Sequence, residues 1–156
     1  MLIRRVKFTD YNGQEREMEY AFHLNKAETI QWMTTAGEYT LDKLLLRLAE
    51  ERNGKRIMEI FEDLIHRSYG RKSLDGISFE KNEADWLTFK QSEAYSEIFC
   101  ELVTDAKKAA AFVNGVIPAD VAKDVQTALE ENRDNLPDEL KDYIPKKENE
   151  PNTETV

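Results

Sequence analysis

Apolar positions along the chain follow two periods. Over residues 2–24 the period is two: "LIRRVKF" and "REMEYAFHL" flank "TDYNGQE", and Met18, Tyr20 and Phe22 alternate with polar neighbours. Successive side chains of a strand leave on opposite faces, so this spacing predicts two strands with one apolar side. Asn12-Gly13 supplies the positive-φ residues of a tight turn, which closes the pair into a β-hairpin. A two-stranded ribbon is marginal in water and must lie on something apolar.

From Asn25 onward the period is helical. Asn25 is the N-cap of a segment carrying Ala27, Ile30, Trp32 and Met33, ended by Gly37. Thr40 caps the next, in which Leu41, Leu44, Leu45 and Leu48 form one stripe. Asn53-Gly54 stops or kinks it. Ile57, Ile60, Phe61, Leu64 and Ile65 continue on a third helix, with Gly70 at its end. "RKSLDGISF" (71–79) holds an Asp75-Gly76 turn and reads either as a short hairpin or as an ordered loop. Leu87, Phe89, Tyr95, Ile98, Phe99, Leu102 and Val103 predict a helix or a broken helix pair across 83–103.

The stretch "LVTDAKKAAAFVNGVIPADV" (102–121) reads as a packing corner. Thr104 or Asp105 caps a helix that buries Ala109, Ala110, Phe112 and Val113. Alanine lets helix axes approach closely, and Phe112 fills the space beside them. Asn114-Gly115 closes this helix, and Pro118 suits the first turn of the following one. There Val121, Val125, Ala128 and Leu129 make a narrow seam on a polar helix. Residues 120–142 carry eight acids against three bases, and "PKKENEPNTETV" (145–156) has almost nothing to bury. The expected fold is therefore mainly α (α+β). It comprises a β-hairpin (1–24), a compact multi-helix bundle (25–136) and an acidic, largely disordered tail (137–156).

Composition narrows the function. The chain has 156 residues, a net charge of −9, 40% hydrophobic and 34% charged residues. An acidic protein of this kind is a poor partner for a phosphate backbone, so no nucleic acid is expected. No window offers the ~18 apolar residues of a membrane span, and no membrane is expected either. The lone Cys100 excludes an internal disulfide and fits a reducing cytoplasm; a small buried apolar role is expected for it.

Candidate chemistry is sparse. His23 reads as a structural histidine. His66 follows Glu62 and Asp63, one half of a di-metal bundle motif whose other half is missing, so a surface ion pair is expected. "YGRKS" (69–73) lacks the glycine register of a phosphate loop and reads as a helix end followed by a basic turn. No cofactor, metal or catalytic residue is assigned, and the chain is not expected to be an enzyme. Trp86 is the aromatic whose place in a core is least evident, since "NEADWLTFKQS" is polar.

Over 57–121 the chain resembles a known family. "IMEIFEDLIHRSYGRKSLDGISFEKN" (57–82) and "FKQSEAYSEIFCELVTDAKKAAAFVNGVIPADV" (89–121) are similar to the tail assembly chaperones of long-tailed bacteriophages and prophages. The resemblance implies a helper in the host cytoplasm that binds the tape measure protein, keeps its apolar helices soluble and assists assembly of the tail tube. On the residues themselves, Trp86, Phe89, Val121, Val125 and Leu129 are the candidate partner-binding positions, with internal core as their other role. Self-association stays open. A structural component of the tail or head, and an acidic DNA-mimicking inhibitor of a host factor, are the alternative functions.

Overall fold

The computed structural model describes residues 1–36, 41–142 and 144. β1 (Leu2–Thr9) and β2 (Glu15–Phe22) pair antiparallel over their whole length, from Leu2 opposite Phe22 to Thr9 opposite Glu15. The turn between them differs from the expected one. Gly13 alone has a positive φ, 76°, and its N–H donates to the Asp10 carbonyl at 2.9 Å. The Asp10 carboxylate accepts from the N–H groups of Asn12 and Gln14, both at 2.9 Å. This is a three-residue connection with one left-handed glycine, held by an aspartate that the Asn-Gly signal overshadowed.

The sheet also grows beyond the expected hairpin. β3 (Tyr69–Lys72) pairs with β2 through Phe22–Tyr69 and Ala21–Gly70, and β4 (Phe79–Glu80) pairs with β3. The order is β1-β2-β3-β4, antiparallel throughout. Residues 71–79 therefore include a hairpin, and "YGRKS" is mostly strand, not a helix end with a basic turn. Gly70 does not terminate a helix. A Cβ there would lie 2.5 Å from the Glu80 carbonyl oxygen and 2.6 Å from the Phe79 ring, so the strands need a residue without one. A four-residue strand is too short for its period to show.

The helices begin largely where their caps predict. Asn25 and Glu28 exchange side-chain to backbone hydrogen bonds at 3.0 Å each, a capping box opening α1 (Lys26–Ala36). α2 (Leu41–Glu50) is followed by α3 (Gly54–Ser68), and Asn53 caps α3 by accepting from the Arg56 N–H at 3.2 Å. Asn53-Gly54 therefore starts a helix as well as marking a break. The broken pair is α4 (Glu83–Lys90) and α5 (Glu93–Thr104), capped by Asn82 and Ser92. Asp105 caps α6 (Ala106–Val116), accepting from Lys107 and Lys108 at 3.0 and 3.1 Å. Gly115 lies inside α6 and does not close it. The Leu2 side chain packs where its Cβ would be, 2.9 Å away, which fixes how closely β1 approaches α6. α7 (Ala119–Glu131), a 3-10 turn (Arg133–Asn135) and α8 (Asp138–Lys141) complete the described chain. The expected Gly37 stop and Thr40 cap lie outside the described residues; of the expected tail (137–156), the described part carries α8 and a buried Ile144, and residues 145–156 lie outside.

The inner face of the hairpin, including Val6 and Phe22, lies on α5 and α6 and merges with a core from α1 to α6 that also takes in Ala122 of α7. Trp32, Phe22 and Phe112 are its largest fully buried side chains, and Phe22 meets Phe112 edge-on at 5.1 Å. Each such burial contributes roughly 1.5–3 kcal/mol. A second, smaller cluster joins Val125, Leu129 and Ile144 to Ile30, Val121 and Leu136, docking α7 on α1. Lys26 Nζ reaches Asp124 at 2.9 Å beside it, and Arg133 Nε donates to the Ile144 carbonyl at 2.9 Å.

Candidate functional site

Where α2, α3, α5 and α6 meet, the surface carries a groove of about 200 Å³ lined mostly by apolar side chains. Leu45, Leu48 and Ala49 form one wall, Ile57 and Phe61 a second, and Leu102 and Val103 a third; Ala106, Ala109 and Ala110 form the floor. The local reason is side-chain size. α6 turns its alanine run toward α2, and three methyl groups leave unfilled what longer side chains would close. Leu45, Leu48, Ile57 and Val103 are half-buried, so part of each stays in contact with water. Leu46 (59% exposed) and Met58 (44% exposed) extend apolar surface over α2 and α3. Glu51 and Thr104 supply the polar rim. With one ionisable side chain in its lining, the groove is equipped to bind aliphatic surface rather than to move protons.

Polar side chains elsewhere are engaged structurally. Glu101 joins Arg4 and, at 3.1 Å, Lys108. Partial burial would raise its pKa, but the hydrogen bonds and charges of those two cations outweigh it and hold the carboxyl below its usual range. His66 reaches Glu83 at 3.4 Å, while Asp63 pairs with Arg67 and Glu62 with Lys90. His66 thus meets a carboxylate of another helix and not Glu62 or Asp63 of its own, with its ring stacked on Trp86 at 4.4 Å. Cys100 is exposed, not buried, since α5 turns Ile98 and Leu102 inward on either side of it. Lys81 Nζ binds the carbonyls of His23 (2.9 Å) and Arg67 and the Glu28 carboxylate (2.7 Å), tying the β4–α4 junction to β2, α1 and α3. Among the described residues no three His, Cys, Asp or Glu side chains are grouped to hold a metal ion.

The five candidate partner-binding residues fall into two separate places. Trp86 (5% exposed) and Phe89 (2% exposed) belong to the main core, their rings 6.1 Å apart. Phe89 stacks on Tyr69 at 4.4 Å and lies 4.8 Å from Tyr20, while Tyr95 meets both Trp86 and Phe89 edge-on. Val121, Val125 and Leu129 lie together on the side of α7 that faces α1; Val125 and Leu129 are buried and Val121 half-buried. The groove itself is signalled by the leucine stripe of α2 and the alanine run of α6. What the pattern cannot show is that, among the described residues, no element covers their junction.

The fold and this groove define a mainly helical protein whose uncovered surface suits another protein's apolar side chains. The chain belongs to the phage tail assembly chaperones: the family's model matches residues 1–156, its whole length. Its partners are accordingly proteins of tail assembly. Neither a curated protein nor a solved structure matches the chain. Among the described residues no helix is long and apolar enough to cross a membrane.

Proposed function

We propose that this chaperone binds the tape measure protein in the groove between α2, α3, α5 and α6. It keeps the client's apolar helices in solution, helps bring tail tube subunits to them in the host cytoplasm, and performs no catalysis. The observation that carries this is an open, aliphatic groove on a chain matched end to end by a chaperone family. An amphipathic helix presents side chains at i, i+3, i+4 and i+7, and such a row suits a cleft walled by leucines and floored by alanines. The net charge of −9 keeps a complex with an apolar client from aggregating. In this proposal Val121, Val125 and Leu129 join the client surface when α7 leaves α1, and Trp86 and Phe89 act from inside by fixing α4 and α5.

The test is co-expression with the tape measure protein, reading how much of the client stays soluble. Ala106→Glu charges the floor at an exposed position, and Ala110→Leu fills it. Both should lose the client while the thermal melt moves by no more than about 0.5 kcal/mol equivalent, as for surface changes generally. A client equally soluble with both variants would overturn the groove assignment. The chaperone should also be absent from purified virions; its presence there at fixed stoichiometry would favour a structural tail component.

A further inference from the structure

We propose that the outer edge of β1 takes up an extended, acid-bearing segment of a partner protein as a fifth strand of the sheet. This surface adjoins the helix-binding groove only at Thr104 and does not depend on it. β1 lies at the end of the strand order and pairs with β2 alone. Among the described residues, no hydrogen bond joins the backbone of residues 2–9 to anything but β2. Among the described residues, alternate residues of the eight in β1 thus present a row of unpaired N–H and C=O groups along the other side, a ready template for a strand.

Space for the middle of that strand is present, beside residues 4–7. A cavity of about 490 Å³ is lined by the consecutive residues Arg4, Arg5, Val6 and Lys7 and faces Glu97 and Glu101 of α5. Alternate side chains of a strand leave on opposite faces, so a cavity lined by four consecutive residues fits one that runs along the edge.

Charge selects the occupant. β1 carries Arg4, Arg5 and Lys7 and no acid. Pairing with a second copy of itself sets cations beside cations, which is destabilising. The strand it does pair with shows the complement: Glu17 and Glu19 stand opposite Lys7 and Arg5, and Arg5 Nη2 reaches Glu19 at 2.6 Å. A partner strand with an acid at every second position repeats this on the solvent face. Its alternate residues, which meet Ile98 and the Arg4–Glu101–Lys108 cluster, must be small or apolar.

The experiment uses the full chain and a fluorescein-labelled eight-residue peptide alternating glutamate with valine and serine. Anisotropy reads binding, and amide hydrogen exchange locates it. The expected result is new protection confined to residues 2–9, binding at least ten-fold weaker for the exposed-site variant Lys7→Glu, and no binding by the same peptide N-methylated at alternate amides. The methylated peptide leaves the protein untouched, so its failure cannot be ascribed to misfolding. No binding at millimolar peptide, equal binding of the methylated form, or protection elsewhere than β1 would overturn the proposal. So would concentration-dependent protection of residues 2–9 without peptide, which would make the occupant a second copy. None of these outcomes bears on client solubility, so the groove assignment stands or falls separately.

Discussion

The two ends of α5 face different surroundings. Near its start, Tyr95 packs against Trp86, Phe89 and Phe99 at ring separations of 5.7–5.8 Å, and beneath the sheet Tyr20 and Tyr69 complete a layer of rings. Burial of that layer, and secondarily the Glu62 charge, pushes the Tyr95 hydroxyl up to about 12. Near its end, Leu102 and Val103 line the groove, where α6 offers alanine methyls. One helix is thus sealed by aromatic volume at one end and left accessible at the other. The contrast teaches that whether a helix junction becomes core or open groove is decided by the size of the facing side chains, not by the hydrophobicity of the helix itself.

The strongest test of this contrast removes a ring. Phe89→Ala deletes a side chain that contacts the sheet, α4 and α5 together, and large-to-small changes of this type cost roughly 3–5 kcal/mol. Against a usual total of roughly 5–15 kcal/mol, that loss should be plain in a urea denaturation midpoint. Trp86→Ala should behave alike. If Phe89→Ala instead kept the wild-type midpoint and lost only the client, the aromatic end would itself be a binding surface and the contrast would collapse.

Much of the fold is legible in the amino-acid sequence alone. The hairpin, the capping of α1 by Asn25, the break between α4 and α5 and the Asp105 cap all rest on local chemistry, which a sequence displays directly. The differences concern glycines and a short strand. Gly70 and Gly115 resemble helix ends, but both serve close approaches, to Glu80 and Phe79 in one case and to Leu2 in the other. Those neighbours are 9 or more positions away in the sequence, so no local pattern could expose them. The groove is a similar case. Its leucines and alanines are visible as apolar stripes, yet a stripe looks the same whether a neighbour covers it or not.

A second test compares the main core with the satellite cluster under α7. Leu129→Ala removes an apolar side chain from a group that holds Val125 and Ile144 against Ile30 but does not reach the sheet. The loss should fall at or below the low end of the roughly 2–5 kcal/mol range for such deletions, since a small peripheral cluster can collapse onto the gap. Its effect should also be local. Amides of 119–142 should exchange faster while those of β1 and β2 keep their protection, as expected where cooperative units differ in stability. Uniform loss across the chain would show that α7 is part of one cooperative core and that the two clusters do not differ in kind.

The smallest expected effect lies at the junction of the sheet with α1 and concerns pH. The Nδ1 atom of His23 is buried without a hydrogen-bond partner, and its ring lies edge-on to Phe79 at 5.7 Å. Desolvation lowers its pKa, aided by the positive charges of the amino terminus and Lys81 and opposed by Glu28. A histidine depressed in the folded state makes protonation favour unfolding. Stability is therefore full above the unfolded value of about 6.5 and declines as the pH falls from there toward the folded pKa. The carboxyls of Asp10, Asp75 and Glu101 are also depressed, but their stabilisation is lost only below about 4. A decline between pH 7 and 5 is thus separable from theirs. The denaturation midpoint should drop slightly over that interval in the wild type and stay flatter in His23→Gln, whose amide needs no proton change. An equal drop in both proteins would mean that the buried ring is not what couples this junction to pH, and that the interface between sheet and helices is sealed well enough to hide its charge state from the rest of the fold.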